Sequence, residues 1–305
     1  MASNSYPRDM VGYGSLLPHA QWPGGARIAV NFCINYEAGG ENNILHGDAA
    51  SESIMVDWGA PSLVGQRSLL SESSFEYDSR RGIWRVLRLF GERNIKTSVF
   101  AVVMGLERNA EVAQAMVEQG HEMVTHGYRW IEHQGMPEDE EREHIRLAVE
   151  GLKRLTGHRP VGSFLGRPTL NTRRLLIEEG GFLYDRDSFA DELPYWVEEA
   201  GRPHLVIPYS LETNDNRWNA NSGFSTSSDY FEYMKDSFDM LYSEGDSEPK
   251  MMSVGLHARL IGRPGRAVGL ERFLDYVLKH EKVWICTGEQ IAHHWRQTHP
   301  FKPST

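Results

Sequence analysis

Cysteine is scarce in this chain: Cys33 and Cys286 are the only two. Two thiols build neither a disulfide framework nor a cysteine zinc knot. Both stand in apolar, strand-like runs, where a reduced, buried thiol is the ordinary outcome. No apolar run approaches the roughly 20 residues that a membrane span needs. The opening stretch Met1-Ala2-Ser3-Asn4-Ser5-Tyr6-Pro7-Arg8-Asp9 holds no apolar signal region. Positive charge is outnumbered, 32 Lys and Arg against 42 Asp and Glu, for a net charge of −10. Such a balance argues against nucleic acid and anionic membrane as partners. These absences place the expected home of the chain in the cytoplasm. A glycine-rich nucleotide loop is missing as well. Glu37-Ala38-Gly39-Gly40-Glu41, after the first strand, lacks the required spacing, so no nucleotide cofactor is expected. Neither serine nor cysteine presents a nucleophile elbow, which leaves covalent acyl transfer without support.

What is present is a long, evenly globular pattern. The chain has 305 residues, 40% of them hydrophobic, enough for one large barrel or two ordinary domains. No repeat or low-complexity linker divides it, so a single domain over residues 1–305 is expected. It would carry an extended N-terminal arm (about 1–25) and a long insertion after the first strand (about 38–78). Long ordered loops are often functional, and a solvated excursion is the alternative.

Arg27 to Asn35 reads as a strand, Ser79 to Arg93 as a helix capped by Ser79, and Thr97 to Val103 as a strand. Further helices are expected over Asn109–Gln119, Pro137–Leu155, Thr172–Glu179, Asp229–Ser243, Leu270–His280 and Glu289–Gln297. Strands are expected over His121–Thr125, Ser163–Leu165, Phe182–Asp185, Leu205–Tyr209, Met251–Leu256 and Val283–Cys286. Strands separated by helices imply a parallel sheet with crossover helices, either a barrel or an open doubly wound sheet of about seven units.

Ionisable residues cluster where strands end, which is how a barrel-like α/β enzyme assembles a site. Glu37 follows the first strand, beside Asn35 and Tyr36, and can serve as a general base or a metal ligand; an ordinary loop carboxylate is the alternative. His126 ends the third strand in Thr125-His126-Gly127-Tyr128-Arg129-Trp130, and can orient substrate, bind metal or move protons. A lone histidine is more often structural. Trp130 stands where a His-x-x-x-His pair would have its second imidazole, and an indole cannot ligate metal; it either packs or walls a pocket. His257, at the end of Met251–Leu256, has Arg259, Arg263 and Arg266 nearby and is a candidate general acid; a basic surface loop is the alternative. Arg167 presents a forked donor suited to carbonyl oxygens. Asp185, Asp187, Asn214 and Asp215 are candidate orienters of His257 or Arg167, although loop aspartates are usually caps and turns.

In their order along the chain, these residues resemble the polysaccharide deacetylase (NodB-homology) superfamily. The carriers are Asn35-Tyr36-Glu37, Thr125 to Trp130, Gly166-Arg167 with Asn171 to Arg174, Glu212-Thr213-Asn214-Asp215, and Gly255-Leu256-His257 with Arg259 to Pro264. Within it the chain looks most like the metal-independent bacterial allantoinases, through Tyr6 to Asp9, Leu45 to Asp48 and Thr298 to Phe301 as well. The resemblance implies a distorted (β/α) barrel with fewer than eight strands. Ordinary members hold a divalent metal with an Asp and two His, and use a second Asp as base and a late His as acid. By that resemblance Asn35 replaces the base Asp, Glu37 the metal Asp and Trp130 the second metal His. Arg167 falls at the family arginine and Asp215 at the orienting aspartate. A departure is Gly162-Ser163-Phe164-Leu165-Gly166-Arg167, where close allantoinases carry Gly-Trp-Tyr-Thr-Gly-Arg; this bears on pocket volume and polarity.

A zinc site needs about three protein ligands, and only Glu37 and His126 remain, so neither metal nor cofactor is expected. The implied activity is hydrolysis of a ring C–N bond of allantoin or a related small cyclic ureide. Glu37, His126, His257 and Asp215 would be catalytic, and Asn35, Trp130, Arg167, Asn214 and Arg259 would bind substrate. Other readings are another cyclic imide or ureide, a metal-dependent N-deacetylase, or an inactive binding homologue. The resemblance also implies a homotetramer.

Overall fold

Every residue of the first strand, β1 (Ile28–Tyr36), is buried, because the strand lies inside a sheet covered on both faces. Its side chains alternate. Ile28, Val30, Phe32, Ile34 and Tyr36 face outward into an apolar cluster shared with the helices. Ala29 and Cys33 face inward and join a second cluster with Phe100, Phe164 and Tyr209. Asn31 and Asn35 belong to the same inward row, and Glu37 continues it past the carboxyl end of the strand.

The computed structural model describes residues 6–57, 59, 61–220 and 223–303. Among them the later strands are β2 (Ser98–Ala101), β3 (Glu122–Thr125), β4 (Gly162–Ser163), β5 (Tyr184–Asp185), β6 (Tyr195–Glu199), β7 (Arg202–Val206), β8 (Lys250–His257) and β9 (Val283–Ile285). Their order is β6-β7-β5-β4-β3-β2-β1-β8, with β9 also on β1. All pairs are parallel except the β6–β7 hairpin. The sheet curls into a half-barrel, the distorted (β/α) barrel that the resemblance implies and one of the two arrangements that the alternating pattern leaves open. The segment after β7 bridges part of its open side, where the Gly255 amide donates to the Thr213 carbonyl at 2.9 Å.

Nine α-helices pack around the described sheet: α1 (Leu69–Tyr77), α2 (Ile83–Gly91), α3 (Val103–Arg108), α4 (Ala110–Glu118), α5 (Glu138–Thr156), α6 (Thr172–Glu179), α7 (Ser227–Glu244), α8 (Pro264–Val277) and α9 (Gly288–Thr298). The helix expected to begin at Ser79 begins ten residues earlier, at Leu69. Its cap is Ser68, whose side chain accepts from the Ser71 amide. A π-helical turn, Asp78–Gly82, joins α1 to α2. The sequence hides α1 because its polarity is inverted: Leu69 and Leu70 are exposed, while Ser71, Glu72 and Ser74 are buried. The π turn presses against the chain that follows β8, and a Cβ on Gly82 would lie 2.1 Å from the Ala258 carbonyl oxygen. Strand β6 is likewise hidden in the sequence. Its outer position leaves its residues partly exposed without a period of two.

The arm expected over about 1–25 ends in anchored structure. Trp22 is buried, donates from Nε1 to the Lys250 carbonyl at 2.9 Å, and packs on Trp284 and Trp295. It covers the barrel end where the strands begin. The first five residues of the arm, with most of the opening stretch read for a signal, lie outside the described residues. Among the described residues no helix is long and apolar enough to cross a membrane.

Candidate active site

Four strand ends and the loops after them meet at the carboxyl end of the barrel. Glu37 follows β1, His126 follows β3 and His257 closes β8; Asp215 lies in the segment after β7. All four are buried. Register brings two of these strands level, since Asn35 and His257 are direct partners across β1 and β8.

Glu37 is the hub. Its Oε1 lies 3.2 Å from His126 Nε2 and 3.4 Å from His257 Nε2. Its Oε2 lies 2.5 Å from the Arg259 guanidinium. Burial pushes this carboxyl up, but Arg259, His257 and the contact with His126 outweigh it and hold the group well below the usual carboxylate range. His257 donates from Nδ1 to Asp215 Oδ1 at 2.6 Å. The Asp215 carboxylate is itself fixed by the His257 and Ile261 amides, at 2.7 and 3.1 Å. Burial pulls the His257 imidazole down, while Glu37 and Asp215 pull it up further, to about 9. His257 therefore carries a proton on each ring nitrogen at neutral pH, with Nε2 free to deliver one. His126 donates from Nδ1 to the Phe164 carbonyl at 2.7 Å and stacks on the Phe164 ring, 11° from coplanar.

Trp130 is buried between two cations. Arg167 lies 4.3 Å from its ring centre and Arg259 5.2 Å, and Phe75 packs on the same indole. Arg167 is half-buried, and among the described residues it makes no hydrogen bond or ion pair. Asn35 and Asn214 are drawn to one phenol: their side-chain amides donate to the Tyr209 hydroxyl at 3.1 and 3.0 Å.

Some expected partners are engaged elsewhere. Asp185 pairs with Arg173 at 2.7 Å and with His204 at 3.1 Å. Asp187 accepts from the Leu165 and Gly166 amides. Neither orients His257 or Arg167. Arg266 pairs with Asp57 at 3.1 Å and Arg263 approaches the same carboxylate. Of the three arginines after β8, only Arg259 reaches the site.

Sequence reasoning passed over three residues. Tyr209 ends a run that read as a strand, so the strand-end criterion that picked out His126 would have found it. Asp78 gave no signal, because it lies in the unexpected π turn. It is fully buried, and burial pushes its carboxyl up to about 7 against the opposing pull of Arg259. His133 was set aside as unassigned. It is buried with neither ring nitrogen hydrogen-bonded among the described residues, and burial lowers it to about 4, so it is neutral.

The donors do not fit the divalent cation of ordinary deacetylases. His257 is an imidazolium, position 130 is an indole, and a guanidinium already neutralises Glu37. Two donors are left, Glu37 and His126, against the roughly three that a zinc site takes. Among the described residues no group of three or more His, Cys, Asp or Glu has a metal-holding arrangement.

The profile of the polysaccharide deacetylase family matches residues 72–172. A Schizosaccharomyces pombe protein named for polysaccharide deacetylase is 38% identical over 317 residues, covering 97% of this chain and 98% of its own. The crystal structure of PuuE allantoinase superposes with a TM-score of 0.95 at 53% identity, over 97% of this chain and 99% of that one. A Pseudomonas aeruginosa structure, also named for polysaccharide deacetylase, gives a TM-score of 0.95 at 54% identity, over 97% and 100%. This chain belongs to the polysaccharide deacetylase family, and is a hydrolase of the NodB-like kind.

Proposed function

We propose that the chain is a cyclic amidohydrolase that opens the ring of allantoin to allantoate by general acid–base catalysis without a metal. The observation that carries this reading is the 2.5 Å pair between Arg259 and Glu37. It puts a fixed cation where a deacetylase would need an exchangeable one. The similarity to PuuE allantoinase over nearly the whole chain supports it.

In this reading Arg167 and His126 hold the ureide carbonyls, with Trp130 as the wall between Arg167 and Arg259. Water adds to the ring carbonyl and gives a proton to Glu37. His257 Nε2 gives its proton to the ring nitrogen as the C–N bond breaks. A free urea nitrogen and a carboxylic acid result. Glu37 is a weak base while His257 is charged, but its affinity for a proton rises as His257 discharges. Afterwards the proton on Glu37 returns across the 3.4 Å contact to His257 Nε2, and both groups are restored. Asp215 holds the imidazole in the donor orientation throughout. A ring ureide suits this apparatus better than a sugar acetamide, because a second electron-withdrawing group activates its carbonyl and eases departure of the nitrogen.

One observation favours a different ring. Leu165, buried beside the site, lies against Gly127 next to His126. An apolar side chain there, together with Ser163, suits a ring with a less polar substituent than allantoin's. The two buried free thiols fit a reducing, cytoplasmic setting, and the tetramer implied by the resemblance is to be read from light scattering. The test of function is racemic allantoin with chelator-treated protein. Undiminished formation of ureido acid is expected. Activity that vanishes on chelation and returns with zinc would overturn the reading. Turnover of a hydantoin or dihydropyrimidine in preference to allantoin would shift it to the second ring class.

A further inference from the structure

Tyr209 poses a hydrogen-bond count that the protein leaves open. A phenol oxygen has two acceptor sites and one proton to donate. Both acceptor sites are filled, by Asn35 Nδ2 and Asn214 Nδ2. The direction of each bond is fixed independently, which matters because an amide's oxygen and nitrogen are assigned from their network. Asn214 uses its oxygen to accept from the Asn216 amide at 2.9 Å, so its nitrogen faces the phenol. Asn35 Nδ2 also lies 3.3 Å from the Leu256 carbonyl, an acceptor only, so that atom is the nitrogen. The phenol therefore receives two hydrogen bonds, and among the described residues no acceptor takes its proton. Burial, with Cys33 and Asp215 nearby, holds the phenol well above its ordinary ionisation range, so the proton stays.

The ring cannot easily turn away. Tyr209 packs between Phe100 and Phe164, at 5.3 and 4.7 Å. Its oxygen lies against Gly255, where a Cβ would come within 2.2 Å of it. Phe164 is the residue that stacks on His126 and takes its Nδ1–H. Asn35 sits one inward step below Glu37 and level with His257. The hydroxyl thus lies against Asn35, the inward neighbour of Glu37, and its ring against Phe164, the neighbour of His126.

We propose that the Tyr209 hydroxyl donates to the oxygen of the ring carbonyl under attack, and stabilises the oxyanion that forms as water adds. Asn35 and Asn214 then serve as positioning residues, which fill the phenol's lone pairs and aim its proton. This rests on the ring-opening reading above. Preorganised donors at a developing oxyanion are typically worth about 10²–10³-fold in turnover each.

Tyr209→Phe is expected to lower kcat of allantoin opening by about 10²–10³-fold with KM changed only a few-fold, since the bond tightens only in the transition state. That variant also strands two amides. The deciding series therefore places tyrosine, 3-fluorotyrosine and 3,5-difluorotyrosine at position 209, which keeps the oxygen and both amide contacts. A donating phenol makes kcat rise with phenol acidity, by about twofold or more across the series at a pH below the phenol's ionisation. A phenol that only holds Asn35 and Asn214 leaves kcat flat, and this result overturns the proposal while ring opening stands. If the wild type opens no ring, the functional reading fails by itself. The donor role is then judged by the fluorine resonance of 3-fluorotyrosine 209 when allantoin is added: a saturable shift supports contact with a bound ureide, and an unmoved signal overturns it.

Discussion

The inside of this barrel has two buried polar layers, one above the other, and they are built differently. The lower layer joins Asn31, Ser98, Glu122, Tyr184, Arg186 and Ser253. Ser98 donates to Glu122 at 2.6 Å while accepting from Asn31 and from the Gly288 amide. Tyr184 donates to the other Glu122 oxygen at 2.6 Å. Arg186 donates to Asn31, to Ser253 at 2.6 Å and to the Pro208 carbonyl at 3.1 Å, leaving only its Nε without a partner among the described residues. The upper layer holds Glu37, His126, His257, Asp215 and Arg259, with Asp78, His133 and Tyr209 around it. There, both carboxylate oxygens of Asp78, both nitrogens of His133, the Arg259 Nη2 and the Tyr209 proton find no hydrogen-bond partner among the described residues. Burying such groups unmatched costs about 1–3 kcal/mol apiece. A polar layer whose groups are matched holds the fold. One left partly unmatched under the same burial is arranged for something that arrives.

That comparison can be broken most sharply at the hub. Glu37→Gln keeps shape but removes the proton acceptor, and turnover of the ring substrate should fall by about two to four orders of magnitude. Initial rates check this, and near-normal rates would remove Glu37 from the base role. Arg259→Met strands the Glu37 carboxylate, and breaking a buried pair in this way should destabilise the fold by about 3–5 kcal/mol. Urea denaturation measures it; a change under 1 kcal/mol would mean that Arg259 is not the counter-cation argued above. In the lower layer, Ser98→Ala takes the partner from Glu122 Oε2 and from the Gly288 amide, while Asn31 Nδ2 keeps the Cys286 carbonyl, and should cost about 1–3 kcal/mol of stability for each of the two. Its kcat should stay within a few-fold of wild type, and a large loss of kcat would erase the distinction between the layers.

The gentlest test is pH. His257 must be charged to act as acid, so turnover should fall about tenfold per unit as pH rises through about 9. Because its folded value is raised, the stability it contributes is fully present below about 6.5 and is lost over the same rise. The acid limb, set by Glu37, should lie well below the ordinary carboxylate range. An alkaline limb near 6.5 would show that Asp215 and Glu37 do not act on His257 as described.

Much of the architecture was legible. Helix α6 spans the residues read for it, Thr172–Glu179, and α4 (Ala110–Glu118) falls within the Asn109–Gln119 read for it, with Asn109 as its cap. These segments carry clear periodicity or a capping residue, and both are local signals. Helix α1 and strand β6 were not legible. One buries serines and exposes leucines, and the other has no alternation to read. Strand ends pointed to Glu37, His126 and His257 because a parallel barrel gathers its carboxyl ends in one place. What strand ends cannot say is who touches whom.

The chain order alone carried the alternation of strands and helices and the period of two that puts Asn35 and Glu37 in one row, and with the resemblance it carried the indole that stands at position 130 in place of an imidazole. The fold was needed to show that Arg259 rather than Arg263 or Arg266 neutralises Glu37, that Asp185 is engaged by Arg173 and His204, and that Asp78 and Tyr209 are buried nearby, while Asp215 on His257 agrees with the place the resemblance gave it. Periodicity and caps act over a few residues, so one chain segment carries them. A buried charge is set by the field of groups hundreds of residues apart, and those distances exist only once the sheet has curled.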